Sequence, residues 1–205
     1  MPARQPPPLF ILPGMGADDR MYPGPWKTLP RASFINWPAH RGETTIHAIA
    51  RRIIEEAPIP PDAILIGSSL GGIVACEIAG IQSCRRLILV GSATSPAEIN
   101  TLLRILHPLA ALAPVPFIQM AAGKIPADLT RMFHDSEPAF IHAMCHAIFH
   151  WPGLDPRQPR PFRIHGRHDR AIPPPAHADH MLNAGHLVAM THPDECVRLI
   201  RRVIG

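Results

Sequence analysis

Apolar runs of strand length alternate with longer stretches of helical spacing along most of the chain. Such runs fall at 8–12, 33–37, 63–67, 86–91, 161–165 and 178–182, bounded by Pro, Gly or polar residues. Each is too short for a stable helix and reads as a strand. Between them, 44–57, 70–82 and 193–204 repeat apolar residues three and four apart, which is the spacing of a helix face. Strand–helix alternation predicts an α/β fold: a mostly parallel, doubly wound sheet of about six strands. The rhythm breaks at 97–150. That stretch is amphipathic and helical at 99–112, 116–122, 127–133 and 138–150, interrupted by Pro108, Pro114, Pro116 and Pro126. All of it, 1–205, reads as one domain, long enough for a core of its own.

The third apolar run ends in Gly67-Ser68-Ser69-Leu70-Gly71-Gly72 and passes at once into apolar helical sequence. Strand, sharp turn and helix follow one another with Ser69 at the apex. A turn this tight strains its central residue and admits only small residues two before and two after it, the places of Gly67 and Gly71. The arrangement matches a nucleophile elbow, in which the serine hydroxyl stands above the strand end and the next helix offers N–H groups to a developing oxyanion. Two plainer readings stand beside it. One is a phosphate-binding turn, but the Lys-Ser/Thr ending of a P-loop is missing and the glycine spacing is not the dinucleotide fingerprint. The other is a tight turn without chemistry.

Partners for a serine nucleophile occur further along. The run at 161–165 ends in Gly166 and is followed by Arg167-His168-Asp169; Asn183-Ala184-Gly185-His186 precedes the last helical stretch. A serine hydroxyl is a poor nucleophile until a base takes its proton, and a carboxylate must orient that base and stabilise its charged form. Ser69, His186 and Asp169 supply the three groups in the chain order Ser, acid, His.

Four segments together make the chain resemble an α/β-hydrolase fold enzyme over nearly its whole length. They are 10–18 with Pro13-Gly14-Met15-Gly16, 67–72 around Ser69, 164–169 ending in Asp169, and 184–186 ending in His186. The resemblance implies that the turn after the first strand lines an oxyanion hole, with the backbone N–H groups of Met15 and Leu70 as donors. Glycines at 14 and 16 allow the close backbone approach this needs. The family more often has His-Gly where this chain has Pro13-Gly14. It also implies that 97–150 is a cap over the site, with Phe117, Met120, Met132 and Phe133 as an apolar wall; the plainer reading is that these residues pack the cap onto the core. The turn at residue 14 leaves no room for two further N-terminal strands, so the expected form is minimal.

Other residues compete for each role. Asp18, Asp19 and Asp135 are alternative carboxylates, and some relatives carry the acid after the preceding strand; here that position reads Ser92-Ala93-Thr94-Ser95, without an acid. Thirteen histidines give many candidate bases, of which His168, beside Asp169, is the main rival to His186. His142, His146 and His150 recur on one helical face near His134 and Asp135, a spacing that can bind zinc, but no Glu lies between the first pair as in a zinc protease. The expectation is no metal and no cofactor.

With 46% hydrophobic and 18% charged residues the chain is globular. The net charge of +4 comes from scattered pairs such as Arg51-Arg52, Arg85-Arg86 and Arg201-Arg202. They form no basic stripe and alternate with no aromatic platform, which argues against a nucleic-acid partner. No apolar run reaches bilayer length, and 9–12 is too short for the core of a secretory leader. Cys76, Cys84, Cys145 and Cys196 make no C-x-x-C pair, so buried thiols in a cytoplasmic protein are expected. The reaction class expected is hydrolysis of carboxylic esters of short-to-medium acyl chains through an acyl-enzyme, the partner being a small-molecule ester or thioester. Acyl thioester hydrolysis, acyl transfer and a non-catalytic ligand-binding role are the alternatives.

Overall fold

The computed structural model describes residues 6–100 and 126–204. In chain order the elements are β1 (Leu9–Leu12), β2 (Ala32–Phe34), α1 (Ile46–Glu56), β3 (Ile64–Ser68), α2 (Leu70–Ile81), β4 (Arg86–Val90), α3 (Ala127–Asp135), α4 (Pro138–His150), β5 (Phe162–Gly166), β6 (His180–Leu182), α5 (Val188–Thr191) and α6 (Pro193–Ile204). Among the described residues the six strands form one sheet in the order β2-β1-β3-β4-β5-β6, and every neighbouring pair is parallel. The expected α/β class is the observed one.

Successive strand residues point to opposite faces, and both faces are covered. Phe10, Leu12, Leu65, Leu87 and Leu89 pack against Ile46, Ile49 and Ile53 of α1 and Ile73 of α2. Leu9, Ile11, Ile64, Ile66, Ile88 and Val90 face the other way, toward Val188 of α5 and Cys196, Val197 and Ile200 of α6. That division is why the central strands read as continuous apolar runs while the helices read as amphipathic. Thr45 caps α1, its side chain accepting from Ala48 N–H at 3.0 Å. In α6 the acidic Asp194 and Glu195 open the helix and Arg201 and Arg202 close it, complementing the helix dipole.

Two local features differ from the sequence expectation. The run at 33–37 leaves the sheet after Phe34. Ile35 N–H still bonds to Ile11 O at 2.9 Å, but the Trp37 indole turns away and donates to Gly14 O. Between the first two expected strands, where the sequence reading assigned no element, 3-10 turns form at Asp19–Met21 and Gly24–Thr28 and seat the fully buried Tyr22 and Trp26 under the second face. The expected helices at 127–133 and 138–150 correspond to α3 and α4, whereas 101–125, with most of the stretch 99–112, all of 116–122, and Phe117 and Met120, lies outside the described residues.

From β1 the chain passes to β2 on one side, while β3 lies on the other. This reversal makes the carboxyl ends of β1 and β3 a topological switch point, the place where open parallel sheets bind ligands.

Candidate active site

Ser69 stands at that switch point, between β3 and α2. Its backbone adopts φ 51° and ψ −121°, a conformation costly for a residue with a side chain and held here by the packing around it. The glycine requirement is steric. A Cβ at Gly67 would come within 2.3 Å of Gly71 O, and one at Gly71 within 2.4 Å of both Leu12 O and Pro13 O. The strand end, the helix start and the turn after β1 therefore touch through bare backbone. Ser92, just beyond β4 and fully buried, donates its hydroxyl to Ser69 O at 2.7 Å and braces the turn from below. Ser68 is buried beneath it and Ser69 is partly exposed.

The residues expected to partner Ser69 are brought to it from 117 and 100 positions away. Ser69 Oγ lies 2.9 Å from His186 Nε2, and His186 Nδ1 lies 2.9 Å from Asp169 Oδ2. A carboxylate only accepts, so Nδ1 carries the proton and Nε2 is left to accept from the Ser69 hydroxyl. The loop bearing His186 is pinned to the end of β5 by Arg167 N–H to Leu182 O at 2.8 Å and His168 N–H to Ala184 O at 2.9 Å.

Asp169 has a fully buried side chain, as does His165 to within 1%. Burial alone would raise the Asp169 pKa. The charge of His186, hydrogen bonds from His165 and His186, and the Ile172 N–H outweigh it and hold the carboxyl well below its usual range. Oδ1 accepts from the N–H groups of Ala171 and Ile172, both at 2.9 Å.

The turn after β1 lies beside Ser69. A Cβ at Gly14 would stand 3.6 Å from Ser69 Cβ, so turn and serine face each other. Gly14 N–H donates to Met21 Sδ at 3.0 Å, and Gly14 O accepts from the Trp37 indole at 2.9 Å and from Ala17 N–H at 3.2 Å. Among the described residues neither the Met15 nor the Leu70 N–H donates to a protein acceptor. For Leu70, first residue of α2, that is inherent in a helix N-terminus. Phe133 of α3 lies on Gly16, whose φ of 65° and absent side chain make room for the ring. Arg20 ties the same loop to α3, reaching Asp18 at 2.6 Å and Asp135 at 2.8 Å.

The competing residues are engaged elsewhere. Asp18 and Asp135 share Arg20, Asp19 pairs with Lys27 at 2.8 Å, and His168 Nε2 meets Asn183 Oδ1 at 2.9 Å. His146 and His150 stack at 4.0 Å, with His150 Nδ1 against His146 O. Among the described residues no three His, Cys, Asp or Glu side chains cluster as metal ligands. Supporting residues that the sequence reading passed over are Ser92, Glu98, Arg163 and His165. Arg163 is buried, with Nη2 2.7 Å from Glu98 Oε2 and 2.9 Å from Ser92 O.

Over 55 residues the chain is 42% identical to a pimeloyl-[acyl-carrier protein] methyl ester esterase of Klebsiella pneumoniae, a match spanning 27% of this chain and 21% of that protein. In fold it is similar to a thermophilic esterase from Thermogutta terrifontis (TM-score 0.74, 18% identity, covering 96% of this chain and 88% of that one). It is similar also to YbtT, the type II thioesterase of the yersiniabactin pathway (TM-score 0.69, 17% identity, covering 100% and 96%). The profile of the alpha/beta hydrolase family matches residues 9–199, and the chain belongs to that family.

Proposed function

We propose that this protein is a serine hydrolase that cleaves carboxylic esters of short-to-medium acyl chains through an acyl-enzyme, with 97–150 as its cap. The observation that carries the reading is the hydrogen-bonded chain Ser69–His186–Asp169, 2.9 Å at each link, at the apex of a strained strand-to-helix turn. His186 Nε2 takes the Ser69 proton as Oγ attacks the carbonyl carbon, and the carbonyl π-electrons move onto oxygen. The N–H groups of Met15 and Leu70 receive that oxyanion. As the tetrahedral intermediate collapses, His186 returns the proton to the departing alcohol and the acyl group stays on Ser69. Water, deprotonated by His186, repeats the attack and releases the acid. Asp169 keeps Nδ1 protonated throughout and stabilises the imidazolium.

The same groups would act on a thioester. The stretch similar to an acyl-carrier methyl ester esterase and the net charge of +4 favour an anionic or carrier-borne acyl group as the second reading. Four unpaired cysteines support a reducing compartment, and we place the reaction in the cytoplasm; among the described residues no helix is long and apolar enough to cross a membrane.

Fluorophosphonate labelling and p-nitrophenyl butyrate hydrolysis test the assignment. Ser69→Ala should abolish labelling and lower kcat by about 10⁶, as loss of a triad nucleophile does. Ser68→Ala should keep both. The opposite pattern would remove Ser69 from the mechanism.

A further inference from the structure

His165 is the penultimate residue of β5 and is completely buried, yet it carries two polar ring atoms into the interior. Its Nε2 lies 2.8 Å from Ile172 O and 3.3 Å from Asp169 Oδ2. Both neighbours only accept, so the ring must present an N–H to them. Its Nδ1 is buried with no hydrogen-bond partner. Leaving a ring nitrogen unsatisfied is unfavourable, and a phenylalanine or leucine would avoid it; the fold retains the imidazole for what Nε2 does.

The place of that N–H is informative. Asp169 Oδ1 is held by two backbone donors, whereas Oδ2, the oxygen that meets His186, has the second imidazole beside it, with His165 Nε2 at 3.3 Å. With three hydrogen bonds on its two oxygens and the His165 ring against Oδ2, the carboxylate has no room to rotate freely. Because the same N–H also engages Ile172 O, the ring fastens the loop 169–172 to β5.

We propose that His165 is a positioning residue, whose Nε2–H, bonded to the Ile172 carbonyl and 3.3 Å from Asp169 Oδ2, fixes the carboxylate that orients His186. It touches no reacting atom and acts only through Asp169. The proposal rests on the reading of Asp169 as the acid of a Ser–His–Asp set.

Three substitutions separate this from a packing role. His165→Phe fills the space without a donor, His165→Gln carries an N–H at about the reach of Nε2, and His165→Asn stops short of it. Expected for His165→Phe is a fall in kcat of about tenfold to a hundredfold with KM unchanged, together with displacement or broadening of the low-field proton resonance of the His186–Asp169 hydrogen bond. His165→Gln should recover most of both, and His165→Asn should not. Unchanged kcat and resonance in His165→Phe, or Gln no better than Phe, would overturn the proposal. Should His165→Phe fail to fold, the Gln and Asn variants decide alone, and equal behaviour of the two refutes it. The resonance needs no substrate. Absence of ester turnover in the unsubstituted protein would thus overturn the hydrolase reading while still leaving the role of His165 to be decided.

Discussion

Gly71→Ala probes the joint on which the elbow and the proposed oxyanion turn both depend. The added methyl would sit 2.4 Å from Leu12 O, 2.4 Å from Pro13 O and 2.7 Å from Leu12 C. An ordinary contact needs about 1 Å more, and the obstruction is backbone on both sides, so no side chain can swing away. Either α2 lifts from the sheet or the turn after β1 retreats. Overpacking of this kind costs about 1–3 kcal/mol, which a urea midpoint measures. The functional cost is separate. On the proposed role of the Met15 N–H as an oxyanion donor, a retreat of about 1 Å carries it out of place, and loss of one such donor should lower kcat by about 10²–10³ with little change in KM. Gly80→Ala is the control. It lies on the same helix with no atom within 4 Å of its would-be Cβ, and should stabilise by about 0.5–1 kcal/mol at unaltered kcat. Wild-type kcat in a folded Gly71→Ala protein would refute the argument that this contact sets the distance between serine and oxyanion turn.

Glu98→Ala strands the buried Arg163 guanidinium and should cost about 3 kcal/mol of stability, the lower end for a broken buried pair because Glu98 is 24% exposed; a loss below about 1 kcal/mol in urea unfolding would contradict it. Burial alone would raise the Glu98 pKa, but hydrogen bonds from Arg163 and Thr94 hold it below its usual range. Its stabilisation is therefore complete above the ordinary carboxylate pKa and is lost as pH falls through the lowered value, so the stability gap between wild type and Glu98→Gln should narrow in acid. Across butyrate, octanoate and palmitate p-nitrophenyl esters, kcat/KM should fall steeply at palmitate, and a preference for palmitate would refute the small acyl site read from the short cap.

The central strands and the elbow were legible because their requirements are local. A strand covered on both faces must be apolar throughout, and a turn as tight as that at Ser69 admits only small flanking residues, so 63–72 states its conformation without reference to the rest of the chain. The contact between His186 and Asp169 was legible from the place of both residues after strand ends. The short β2 was not, because its end depends on the Trp37 indole reaching Gly14, a contact between segments 23 residues apart. Nor were the 3-10 turns at 19–28, which exist to seat Tyr22 and Trp26 under the sheet rather than from any periodic pattern.

One signal for the supporting residues was present in β5. The strand reads Phe-Arg-Ile-His-Gly, and it lies between β4 and β6 with Ile164 in the core of one face. Arg163 and His165, two apart, share the opposite face, where burying a polar side chain is costly unless it is hydrogen-bonded. The partners define what the face is for. Arg163 reaches Ser92 O, and the Ser92 hydroxyl reaches Ser69 O; His165 reaches Asp169 Oδ2, and Asp169 reaches His186. One face of one strand thus braces the two ends of the Ser69–His186–Asp169 chain, through the backbone at the serine and through the carboxylate at the acid. A charged and a polar residue at alternate positions of an interior strand, neither of them at its end, are therefore read best as supports for a site that other segments carry.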